Sequence, residues 1–130
     1  MRRELLAWGP VVVWALVLAG LSRLTAVPQP LEPLTILSDK VIHFGLYSVM
    51  GAALAWVRVV GPRNPPHLAL VALGSLYGAL DEFHQSFVPG RTPEVSDWVA
   101  NTLGVLAGYV LFMLLTDSRL NPFTRRSGSE

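Results

Sequence analysis

No cysteine occurs in the 130 residues, which excludes a disulfide framework, a thiolate metal site and a cysteine nucleophile. Charge is scarce as well, at 15% of residues, where an ordinary soluble domain carries about 25%. The net charge of +1 gives no electrostatic footprint for nucleic acid or for an acidic partner. Neither a glycine-rich phosphate loop nor an HExxH helix is present. What fills the chain is apolar: 52% of residues are hydrophobic, the mean hydropathy is +0.45, and the apolar residues are gathered in long runs. This is the composition of an integral membrane protein.

Leu5 to Leu21, Val41 to Val60, Leu68 to about Val88, and Trp98 to Leu115 each approach the ~20 residues that a bilayer core requires. In the third run only Leu68 to Leu80 is cleanly apolar. It is counted as a span because the orientation then obeys the positive-inside rule. With the N-terminus inside, Arg2, Arg3, Arg58, Arg63, Arg119, Arg125 and Arg126 lie on the cytoplasmic side and Arg23, Lys40 and Arg91 on the other. Arg2 and Arg3 precede an apolar run as in a signal peptide, but no small-x-small site follows Leu21, so a retained anchor is expected. The fold class expected is all-α, an integral membrane four-helix bundle. Residues 1–118 form one domain, and 119–130 form a short cytoplasmic tail, expected to be disordered. Trp8, Trp56 and Trp98 near the span ends suit the interfacial belt.

Ser22 to Ser38 carries Pro28, Pro30 and Pro33 and is expected to be an extended outer connection. Gly61 to Pro66 is expected to turn tightly, and Val88-Pro89-Gly90-Arg91 to turn with Pro fixing one dihedral and Gly free to take positive φ. Ser38-Asp39 and Ser96-Asp97 each pair a helix-capping residue with an acid and suggest two helix starts.

In this topology the unusual polar residues gather at one end of the bundle. Asp39, Lys40 and His43 open the second span; Asp81, Glu82, His84 and Gln85 close the third; Arg91 sits in the loop; Asp97 and Asn101 open the fourth. Helical spacing groups them into stripes: Asp39, His43 and Tyr47; Gly74, Gly78, Asp81 and Gln85; Asp97, Asn101, Gly104 and Gly108. Two stripes continue as small-xxx-small patterns that let membrane helices approach closely, so the polar groups are expected to face the bundle.

The segments S-D-K-V-I-H-F at 38–44, D-E-F-H-Q-S-F-V-P-G-R at 81–91 and S-D-W-V-A-N-T-L-G at 96–104 resemble the VanZ-like family of small bacterial integral membrane proteins. The resemblance covers about Ser38 to Gly108. It implies Asp39, Lys40, His43, Asp81, Glu82, Gln85, Arg91, Asp97 and Asn101 as motif positions and supplies no reaction for them. It also implies a link to teicoplanin resistance, the property associated with the founding member. Arg23 after Ser22 departs from the small polar residue expected there.

These nine residues are the expected ligand-binding set. The working function is recognition of an anionic or glycan-bearing cell-envelope component. In it Lys40 and Arg91 meet a phosphate or carboxylate, His43 and Gln85 hydrogen-bond it, and Asp39, Asp81, Asp97 and Asn101 position them. A membrane enzyme acting on lipid-linked cell-wall or phospholipid headgroups, with His43 or Asp81 as acid or base, is one alternative. A structural or partner-binding bundle is the other. The bland counterparts are specific too: Lys40 as an interfacial anchor, His43 as a buried neutral imidazole satisfied by Asn101 or Asp81, and Arg91 as a loop lock paired with Asp97 or Glu82. Adjacent on a helix, Asp81 and Glu82 are about 100° apart, so one is expected to face the bundle and the other the headgroups. His43, His84, Asp81 and Glu82 are metal-ligating types without a metal-binding spacing, so no metal and no cofactor are expected. The expected partners are membrane lipid and a cell-wall precursor or anionic headgroup, with no nucleic acid and with self-association left open. The expected location is the bacterial cytoplasmic (inner) membrane, with both termini cytoplasmic.

Overall fold

The computed structural model describes residues 1–23 and 33–117, with side chains in the second helix described from Asp39 onward. The tail beyond Asp117 and the prolines Pro28 and Pro30 lie outside the described residues. Four helices follow one another: α1 (Arg2–Ser22), α2 (Pro33–Val60), α3 (His67–Gln85) and α4 (Val95–Thr116). Among the described residues there is no strand. The all-α bundle expected from the apolar runs is the fold found.

Three of the helical stretches are long and apolar enough to cross a membrane: Arg2–Ser22, Asp39–Val60 and Val95–Thr116. The exception is α3, whose last turns hold Asp81, Glu82, His84 and Gln85. Packing nevertheless sets α3 beside α4 along its length. At one end His67 Nδ1 lies 2.8 Å from the Tyr109 hydroxyl, and at the other Glu82 meets the residue before α4. Helices α2 and α4 run parallel, since Phe44 faces Gly104 and Ser48 faces Gly108. Helices α1 and α3 run the opposite way, with Trp14 against Leu46 and Tyr47 against Asp81.

The tightest contact is α2 on α4, and glycine makes it. A Cβ at Gly108 would overlap the Ser48 carbonyl oxygen, and one at Gly104 would overlap that of Phe44. Backbone therefore meets backbone, the approach that small residues permit in membrane helix pairs. Tyr47, Met50, Leu54, Val57, Leu70 and Val105 fill the centre. Outside, Leu5, Val13, Ile42, Leu76, Leu80 and Leu111 are exposed. An apolar exterior around a partly polar interior suits hydrocarbon as solvent. A groove of about 400 Å³ between α3 and α4, lined by His67, Leu68, Val71, Leu106 and Met113, lies at the end away from the polar residues and belongs to this apolar surface.

Pro10 lies within α1 and has no N–H to offer the Leu6 carbonyl one turn earlier. Trp56 of α2 supplies the missing donor, its Nε1 reaching Leu6 O at 3.1 Å. A proline inside a span is tolerated when a neighbouring helix satisfies the freed carbonyl. Trp56 is thus a helix-to-helix link as well as a residue near a span end. Trp14 Nε1 to Leu46 O at 2.9 Å and Tyr77 hydroxyl to Ala15 O at 2.5 Å tie α1 to α2 and α3 in the same way.

Two expected helix starts are corrected. Helix α2 begins at Pro33, inside the stretch expected to be extended, because proline at the first helical position gives up an N–H that has no partner there anyway. Asp39 consequently sits within the helix instead of at its cap. Helix α4 begins at Val95 with Glu94 as N-cap residue, and Ser96 turns back to donate to Glu94 Oε2 at 3.1 Å. The turn before it forms as expected: Gly90 has φ 80° and the Arg91 N–H donates to Val88 O at 3.1 Å.

Candidate functional site

The polar stripes of α2, α3 and α4 meet at the end of the bundle where α2 and α4 enter and α3 leaves. Six of the nine expected site residues are buried there: His43, Asp81, Glu82, Gln85, Asp97 and Asn101. Lys40 and Arg91 are intermediate, and Asp39 is exposed at the rim. The 3.6-residue period explains the inward stripe in each helix, and the glycines one and two turns on bring the stripes within reach of each other.

His43 is the hub. Its Nδ1 lies 2.9 Å from Asn101 Oδ1, the partner expected of a buried imidazole. Its Nε2 is 3.9 Å from Asp39 Oδ1 and 4.0 Å from Asp97 Oδ2, and its Nδ1 is 3.9 Å from Glu82 Oε1. Lys40 bonds Asp97 Oδ1 and, at 2.8 Å, Glu94 Oε2. One turn deeper, the Tyr47 hydroxyl donates to Asp81 Oδ2 at 2.8 Å. Asp81 is thereby committed to Tyr47, while His43 is held by Asn101 and faces three carboxylates.

Asp81 and Glu82 are both buried, contrary to the expectation that one would face the headgroups. Their directions differ by the expected 100°, but α3 has partners on both sides. Asp81 turns to Tyr47 of α2, while Glu82 turns to the segment leading into α4 and accepts the Glu94 N–H at 3.3 Å. Arg91 pairs with neither Asp97 nor Glu82 among the described residues; its Nη1 donates to Gln85 Oε1 at 3.4 Å. The metal-ligating types named from sequence do not assemble as a set. His84 is exposed, with Nδ1 3.4 Å from Ser22 Oγ. A different set does assemble: one ligand atom each from Asp39, His43 and Asp97 lie within 4.8 Å of one another.

Two participants escaped the sequence reading of the site. Glu94 sits in a loop with no periodicity to signal its role, and Tyr47 belonged to a recognised stripe but has an aromatic body that fits a core equally well. Lys40, followed by Ser96, holds the Glu94 carboxyl below its usual range by hydrogen bonding to the charged form.

Three buried side-chain atoms among the described residues have no hydrogen-bond partner: Glu82 Oε1, Arg91 Nε and Asn101 Nδ2. All belong to this cluster. A buried polar atom left unsatisfied costs about 1–3 kcal/mol, so three in one cluster call for partners that supply one donor and two acceptors. A hydroxyl-bearing molecule or ordered water has that capacity.

The family model VanZ/LLP1 matches residues 9–116, which includes nearly all of the four helices and every residue of the cluster. An uncharacterized protein of the fission yeast Schizosaccharomyces pombe is 31% identical over 120 residues, covering 92% of this chain and 69% of that protein. No solved structure matches. The matched span and the polar helix ends within it agree: the chain belongs to the VanZ/LLP1 family.

Proposed function

We propose that the polar end of this membrane bundle is a recognition pocket for a glycan- or polyol-bearing lipid headgroup, opening on the extracytoplasmic face, with all four helices crossing the bilayer. The observation that carries this reading is the set of unpartnered buried atoms, Glu82 Oε1, Arg91 Nε and Asn101 Nδ2. A sugar or polyol hydroxyl can donate to Glu82 while its neighbours accept from Asn101 and Arg91. Arg91, whose side chain among the described residues donates to Gln85 alone, is the group for a phosphate or carboxylate on the same ligand. Lys40, engaged by Glu94 and Asp97, holds the rim together and orients Asp97.

Relatedness to a fission yeast protein favours a ligand that bacteria and yeast both have, such as a lipid-linked sugar or a phospholipid headgroup. Teicoplanin resistance is then a use of such recognition in members that meet cell-wall precursors. The test is binding of short-chain glycolipids and phosphatidylinositol to purified protein in nanodiscs. Arg91→Gln and Lys40→Gln are each expected to weaken binding about tenfold, equivalent to about 1.4 kcal/mol. Unchanged affinity in both variants, for every headgroup the native chain binds, would remove the reading.

A further inference from the structure

A second cluster lies at the exposed edge of the polar end, around His43. Asp39 Oδ1 and Asp97 Oδ2 both approach the same nitrogen of His43, Nε2, at 3.9 and 4.0 Å. The other nitrogen, Nδ1, is 2.9 Å from Asn101 Oδ1, and in the tautomer that donates from Nδ1 to this acceptor Nε2 turns its lone pair toward the carboxylates. A metal-binding histidine has this arrangement: one ring nitrogen donates to an oxygen that fixes the tautomer and the other faces the ion. Lys40 occupies Asp97 Oδ1 and leaves Oδ2 turned to the histidine.

Charge points the same way. Asp39, Asp81, Glu82, Glu94 and Asp97 gather at this end against the permanent cations Lys40 and Arg91. Glu82 is buried, its Oε1 has no partner, and it lies 3.9 Å from His43. A buried carboxylate oxygen without a donor gains from positive charge nearby, and Glu82, facing His43 from its Nδ1 side, adds to the negative potential around the ring.

We propose that Asp39, His43 and Asp97 bind one divalent transition-metal ion, with Zn²⁺ or Mn²⁺ as the matching class. Imidazole with carboxylate suits these ions and disfavours Mg²⁺ and Ca²⁺, which prefer oxygen throughout. Metal–ligand bonds of about 2.0–2.2 Å place tetrahedral ligand atoms some 3.3–3.6 Å apart, so the three ligand atoms, which lie within 4.8 Å of one another, must draw together on binding. Asp39 can supply this movement, because its carboxylate is half exposed at 52% and His43 is its neighbour one turn on. Three protein ligands leave a coordination position open toward the pocket, where an oxygen of water or of a headgroup fits.

This site shares the pocket with the proposed headgroup but does not rest on it, and the metal alone tests it. Purified full-length protein in detergent is titrated with Zn²⁺, then Mn²⁺, against a chromophoric chelator. One ion per chain is expected. Asp39→Asn, at the exposed rim, is expected to retain the fold and weaken binding at least tenfold. His43→Gln should abolish it, and Asn101→Ala should weaken it about 10–100-fold through loss of ring orientation. Glu4→Gln, a carboxylate at the opposite end of the bundle beside Arg63, should bind as the native chain does. Absence of binding for both ions overturns the proposal, as does native affinity in Asp39→Asn, or a loss in Glu4→Gln equal to that in Asp39→Asn.

Discussion

Buried charge at the polar end is held one partner at a time, and each partner can be removed. Tyr47 is buried to 1% and donates to Asp81, itself 9% exposed. Tyr47→Phe keeps the ring and takes away the donor, so it should lower stability by about 1–3 kcal/mol, read as thermal unfolding in detergent. Asp81→Asn in the Tyr47→Phe background should recover part of that loss, because a neutral amide is cheaper to bury than an unpaired carboxylate. Glu94 carries a pH dependence. Its carboxyl is held below the usual range by Lys40, so its contribution to stability is complete above the unfolded glutamate value of about 4.3 and is lost as pH falls through the lower folded value. The stability difference between native protein and Glu94→Gln should therefore be present at neutral pH and vanish in acid. Glu94 is 54% exposed, so solvent screening keeps this difference at the small end of ion-pair effects.

At the scale of elements, the helix pair α2–α4 determines where the polar residues meet. Gly104 and Gly108 press on the carbonyls of Phe44 and Ser48, and neither neighbour is a flexible side chain that could move aside. Gly108→Ala should cost at least the about 1–3 kcal/mol typical of overpacking and should separate the helices enough to loosen the His43–Asn101 bond two turns above. The folded fraction after size-exclusion chromatography checks the first effect. The stripes that locate this contact were legible in the sequence because a 3.6-residue period is a local property: Gly74, Gly78, Asp81 and Gln85, like Asp97, Asn101, Gly104 and Gly108, are all buried. Other features depended on contacts distant in sequence. That Lys40 is held by Glu94 and Asp97, more than fifty residues away, is set by α2–α4 packing and not by any spacing. The burial of both Asp81 and Glu82 required knowing that α3 has neighbours on two sides. Pro33 misled in a simpler way, since a proline opening a helix and a proline breaking one are the same letter in sequence.

At the scale of the whole molecule, charge is divided between the two ends. Arg2, Arg3, Arg58 and Arg63 lie at the end away from the cluster, where Arg63 Nε meets Glu4 Oε1 at 3.3 Å and Arg58 donates to the Pro65 carbonyl. Excess arginine at helix ends is characteristic of the cytoplasmic side, which supports the proposed placement of the cluster end on the opposite face. The proposed orientation, together with the proposed crossing of α3, decides which headgroups could reach the cluster. The absence of cysteine makes it directly measurable. Thr92, in the loop between α3 and α4, and Asn64, in the turn between α2 and α3, are both exposed. Each is replaced singly by cysteine and intact cells are treated with a membrane-impermeant maleimide. Labelling of Thr92→Cys alone is the expected result and places α3 across the bilayer with the cluster outside. Labelling of Asn64→Cys alone, or of both positions equally, would contradict an outward-facing pocket and with it the proposed recognition of an external headgroup.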